Sequence, residues 1–335
     1  MSDTKPTLPW GLWAIWTLIA VALVVALAAE EDAASLTPLQ WASLVIGFAP
    51  LIGAQITLGS PRAADRTRVW LAHTRYPLLC TAGGITALYL LPALLAGHFD
   101  PYATAIFGFG AFATLGTLRQ IEKGKSGLTW ADAALWLLIW IPFDLRWNYD
   151  LWFGLDGFAY NWWSVMLSVL AVVGWYGFRQ LPNFGYRLIP NRKDLMTALI
   201  ATVIFAAIVI PVGLAIDFLK FPPTTPLSTV AILTHFIGLF LTVAIPEELF
   251  FRGLLLNGLN QMLKRPWLSL LLSSLAFGLM HWNNASDLTT KLAYCTLATV
   301  AGLFYGWAYR RSGNNLLAAV LVHSLTDLIW RFLFQ

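Results

Sequence analysis

THFIGLFLTVAIPEELFFRGLLLNGLNQML, residues 234–263, is almost continuously apolar, yet it carries Glu247, Glu248 and Arg252 near its middle. Thirty such residues read as a helix long enough to cross a bilayer, since about 20 apolar residues suffice. Three charges inside it are costly, by roughly 2.5–3.5 kcal/mol each on insertion scales. Ionisable groups at that depth face a protein interior or a water-filled cavity, so this stretch implies a bundle around it.

The rest of the chain supplies that bundle. Its 335 residues are 58% hydrophobic and 11% charged, where a soluble chain carries about a quarter charged residues. The expected fold is all-α, a polytopic transmembrane bundle of about 10–11 spans. Candidate spans are 10–29, 39–58, 77–96, 102–118, 129–143, 161–178, 195–217, 229–257, 266–282, 291–309 and 315–333. The run 129–143 is short and carries Asp132. The run 10–29 ends near Ala26-Leu27-Ala28, which resembles a processing site. It exceeds the ~7–15-residue core of a signal peptide and reads as a retained span.

Loop charge alternates with the spans. SPRAADRTR, LRQIEKGK, RLIPNRK, LKRP and RR fall on one side, with about 16 of the 21 Lys and Arg once the N-terminal tail is added. EED, HFDP, FDLRWNYD and NNASD fall on the other. The positive-inside rule then puts the N-terminus in the cytoplasm and the C-terminus outside. Short loops and a compact chain suggest a bacterial inner membrane. The net charge of +4 does not point to nucleic acid, and the expected partners are the lipid bilayer and a protein or peptide substrate. Cys80 and Cys295 both lie in apolar runs and read as packing residues, not as a disulfide or a metal pair. Gly302 and Gly306 form a GxxxG that signals close helix packing.

Intramembrane ionisable groups gather in the last third: Glu247, Glu248, Arg252, His281, His323 and Asp327. Counted from Lys264, Glu247 lies roughly 24 Å into its helix, and counted from Pro266, His281 lies roughly 22 Å into the next. The two helices form an antiparallel hairpin, so Glu247 and His281 come level. His323 and Asp327 enter from Asn315 to roughly 12 and 18 Å. Glu248 and Arg252 share a helix face at i, i+4 and are expected to pair. Glu247 points away from that pair with no local partner, as suits a general base. His323 and Asp327 also share a face. The plainer readings are a helix–helix hydrogen bond for Glu247, an interfacial anchor for His281 and a structural hydrogen-bonded pair for His323 and Asp327.

These residues carry a family resemblance. Glu247-Glu248-x-x-x-Arg252 resembles an EExxxR signature, Phe277-x-x-x-His281 an FxxxH motif, and His323-x-x-x-Asp327 an HxxxN/D motif. In that order, one per span, they resemble the CPBP group: type II CAAX prenyl endopeptidases and their Abi relatives. The resemblance covers roughly residues 229–335. It implies residues 226–335 as an intramembrane protease core after an N-terminal multispan region, 1–225. It also implies an intramembrane endopeptidase with a site opening towards the cytoplasm. Glu247 would activate a water with His281, Glu248 and Arg252 would hold the site, and His323 and Asp327 would stabilise the oxyanion. Asp327 replaces the Asn of the members most like the eukaryotic type and can donate only when protonated. It then orients His323 instead. The family is often labelled a metalloprotease group, and Glu247, His281 and His323 could hold zinc. A metal-free glutamate mechanism is the expectation here, as no HExxH is present. A scaffold or bacteriocin-immunity-type protein of the same fold is the alternative, and an ion-coupled transporter a third.

Overall fold

The computed structural model describes residues 36–152, 157–182, 184–223 and 227–334, with isolated positions between 15 and 23. Most of the first candidate span, and all of its processing-like site, fall outside these. Among the described residues the chain is helical and has no strand. The helices are α1 (Pro38–Leu58), α2 (Pro61–His73), α3 (Pro77–Ala96), α4 (Pro101–Gln120), α5 (Trp130–Asp144) and α6 (Ala159–Ala171, continued by π turns Val172–Phe178). After them come α7 (Arg192–Ala215), α8 (Thr229–Leu263), α9 (Pro266–Leu279), α10 (Leu288–Arg311) and α11 (Leu316–Leu333).

The other ten candidate spans all coincide with helices. Five of these, α1, α3, α7, α8 and α11, are long and apolar enough to cross a membrane. One element was not expected. The basic loop SPRAADRTR is the helix α2, which exposes Val69 and Trp70 and buries Ala64 and Leu71. Local signals explain the helix starts. Prolines open α1, α2, α3, α4 and α9, where a missing N–H costs nothing. Side chains of Thr37, Asp100, Thr129, Asn191, Ser228, Asp287 and Asn315 cap seven helices.

The loops predicted to share one side do share one end of the bundle. Leu188 N–H donates to Gly59 O at 2.9 Å, and Leu317 N–H to Arg187 O at 3.2 Å. Gly127 N–H donates to Gln261 at 2.6 Å, and Arg179 to the carbonyls of Glu122 and Lys125 at 2.7 and 3.0 Å. Asp132 belongs to this end. It is fully buried, caps α5, accepts from Trp175 Nε1 at 3.0 Å and pairs with Arg179 at 3.5 Å. Both cysteines are free thiols, Cys295 buried and Cys80 exposed.

Helices α9 and α10 lie close because glycines face the contact. A Cβ on Gly302 would come within 3.0 Å of Ser274 Cα, and one on Gly278 within 2.4 Å of Cys295 O. The GxxxG pair of α10 is therefore a packing feature, as expected.

Candidate active site

The charged turn of α8 is not ordinary α-helix. One α-helical turn, Ile245–Glu248, sits between the π-helical stretches Leu239–Ala244 and Leu249–Leu256. Such insertions are frequent at functional sites, and the carbonyls they release need other donors. Here neighbouring helices provide them. Gln55 of α1 donates to Leu241 O at 3.0 Å, and Ser164 of α6 donates to Thr242 O. Trp136 of α5 donates to Phe250 O at 3.1 Å, and Ser273 of α9 to Phe251 O at 2.7 Å. Three of those four donors come from before residue 226, so the early helices shape the helix that carries the acids.

Glu248 and Arg252 form the expected pair, at 2.8 Å and fully buried. Arg252 also donates to Gly302 O at 3.2 Å, and its guanidinium lies 4.4 Å from the Phe277 ring centre. That is within the range of a cation–π contact. Glu248 Oε1 also meets His323 Nδ1 at 2.9 Å. A carboxylate only accepts, so Nδ1 carries the proton. The opposite nitrogen, Nε2, lies 3.3 Å from Asp327 Oδ2 and 3.8 Å from Glu247 Oε2. Tyr305 stacks on the His323 ring at 4.8 Å. The side chains grow wetter along this chain: Glu248 is 0% exposed, Glu247 13% and Asp327 28%.

Glu247 differs from its expected isolation. The Tyr160 hydroxyl of α6 donates to Glu247 Oε1 at 3.0 Å, with the Tyr160 ring stacked on Phe143. Sequence reasoning missed Tyr160, which lies 87 positions away in a stretch with no distinguishing motif. Helical spacing cannot signal a contact of that range.

His281 lies past the end of α9, in a turn. Its Nδ1 meets the carbonyl of Phe277 at 2.9 Å. A carbonyl only accepts, so Nδ1 bears the proton and neutral His281 keeps a lone pair on Nε2. No hydrogen bond joins His281 to Glu247, but both line one cavity of about 870 Å³, with Tyr160, His323 and Asp327. His235 is not part of it, and bonds through Nδ1 to Ala231 O in its own helix.

The lining of the cavity runs from mid-bundle at Glu247 and Tyr305 to Asp144, Arg146, Asn283, Asn284 and Arg331. Those residues lie at the end opposite the basic loops. No residue of the basic loops lines it.

Among the described residues no three His, Cys, Asp or Glu side chains are grouped to hold a metal ion. Glu247, His281 and His323 line one cavity.

Residues 229–329 match the family model described as type II CAAX prenyl endopeptidase Rce1-like. This part of the chain is similar to that family. The match holds all three motifs and leaves Tyr160, Trp136 and Gln55 outside the Rce1-like segment. No curated protein and no solved structure was found to match the chain. The Rce1-like match and the five apolar helices support a multi-pass membrane protein.

Proposed function

We propose that the chain is an intramembrane endopeptidase in which a carboxylate-activated water hydrolyses a peptide bond. Glu247 takes a proton from the water, and His281 Nε2 accepts a second hydrogen bond from it. The hydroxide attacks the scissile carbonyl carbon. His323, protonated on both nitrogens, donates from Nδ1 to Glu248 and from Nε2 towards Asp327 and the developing oxyanion. The proton held by Glu247 passes to the leaving amine as the C–N bond breaks. The products are a carboxylic acid and an amine, which part as carboxylate and ammonium once the acid proton is transferred. Tyr160 acts as a positioning residue by holding one oxygen of Glu247. Glu248 and Arg252 neutralise each other behind the site.

One observation carries the reading: Glu247 lies on a cavity wall with Tyr160 on one oxygen and His323 near the other, while its charged neighbours are paired and dry. The proposed setting is a bacterial inner membrane, with the N-terminus cytoplasmic and the C-terminus outside, on the distribution of basic loops.

The test is a survey of protein termini in native membranes, comparing cells that express the wild type with cells that express Glu247→Gln at equal abundance. New termini seen only with the wild type support the protease and name its substrate. Identical termini, with the phenotype intact in Glu247→Gln, would establish the scaffold or immunity-type reading instead.

A further inference from the structure

Two observations, taken together, point to the sidedness of the cavity. The first is charge. The loops that carry Arg62, Arg66, Lys123, Lys125, Arg192, Lys193, Lys264 and Arg265 are tied together at one end by backbone and side-chain hydrogen bonds. Basic short loops stay in the cytoplasm, so that end is cytoplasmic. The second is shape. The cavity reaches the other end, where its lining includes Asp144, Arg146 and Asn283. Between mouth and site the wall from α7 is apolar, with Phe205, Val209 and Ile210.

We propose that the site is fed from the extracytoplasmic face, and that its substrate is the juxtamembrane segment of a membrane-inserted protein exposed there. The inference rests on the protease reading for its substrate, but not for its sidedness. The chemistry of the wall selects this class. A chain that enters there passes Asp144, Arg146 and Asn283 interleaved with Phe218, Trp330 and Phe334, then the apolar wall of α7, then the acids. A segment leaving the bilayer on that face carries the same mixture of polar and apolar side chains next to an apolar stretch. At about 870 Å³ the cavity falls within the range of ligand pockets, which suits a short extended segment and excludes a folded domain. This departs from the cytoplasmic opening that the family resemblance implies.

Sidedness is measured with single cysteines in a Cys80→Ala/Cys295→Ala background, using a membrane-impermeant maleimide on intact bacterial spheroplasts and on inverted vesicles. Asn284→Cys at the mouth is expected to label in spheroplasts, and Lys123→Cys in the basic loop only in inverted vesicles. Equal or reversed labelling would overturn the proposal. Should Asn284→Cys fail to accumulate, Ser286→Cys in the same exposed loop takes its place. The terminus survey supplies the second arm. Cut sites in extracytoplasmic juxtamembrane segments support the substrate class, and cut sites in cytoplasmic segments overturn it. Absence of any Glu247-dependent cut overturns the protease reading, and the substrate class with it, while the labelling still decides which face the cavity serves.

Discussion

At Glu247 the chemistry depends on a hydroxyl from another part of the chain. Tyr160→Phe removes that hydroxyl and keeps the ring on Phe143. A hydrogen bond to a charged group is worth about 1.5–3 kcal/mol, so the turnover rate is expected to fall roughly 10- to 100-fold. KM and thermal stability are expected to hold, because substrate contacts and packing remain. Progress curves on the substrate named by the terminus survey check this, and an unchanged turnover rate would remove Tyr160 from the machinery. The pair behind it behaves differently. Arg252→Met leaves Glu248, at 0% exposure, with only His323 Nδ1 as a partner and with its Oε2 lacking a hydrogen bond among the described residues. Breaking such a pair costs about 3–5 kcal/mol. Thermal unfolding in lipid is expected to show that loss, with partial recovery in Arg252→Met/Glu248→Gln. The i, i+4 spacing made this pair and the His323–Asp327 contact legible in the sequence. It could not make Tyr160 legible, because a bond across 87 positions leaves no local period.

Helix by helix, the apolar runs and the Pro and polar caps told where the elements lie, so ten candidate spans fall on helices. The winding of α8 was not legible. Its π turns exist because Gln55, Trp136, Ser164 and Ser273 receive the released carbonyls, and those donors come from four different helices. Helix α2 was also missed, since its arginines read as loop charge until Ala64 and Leu71 found a surface to bury against. Close packing gives this scale its own test. Gly278→Ala would place a Cβ 2.4 Å from Cys295 O, where α9 and α10 must separate. Overpacking of this kind costs about 1–3 kcal/mol. Gly83→Ala meets nothing within 4 Å and is expected to be neutral or stabilising by up to about 1 kcal/mol. Melting curves of the two variants in the same lipid decide it. Equal stability would show that the α9–α10 contact tolerates a methyl group.

For the molecule as a whole, the site lies across the seam between the early helices and the Rce1-like segment. Glu247, His281 and His323 come from the segment, while Tyr160, Phe143 and Asp144 close the cavity from outside it. The mouth crosses the same seam: Asn283 Nδ2 lies 3.4 Å from Asp144 Oδ2, joining the turn after α9 to the end of α5. If substrate passes there, fastening those two positions must stop cleavage without touching the acids. Asp144→Cys/Asn283→Cys, treated with a short bifunctional thiol reagent in the cysteine-free background, is expected to lose its Glu247-dependent cuts. Each single-cysteine variant given the same treatment is expected to keep them, which separates closure from simple modification. Cleavage that persists after cross-linking would mean that substrate reaches Glu247 by another path. The apolar wall of α7, with Phe205, Val209 and Ile210, would then be that path, and the peptide would enter sideways from the bilayer, not through the mouth.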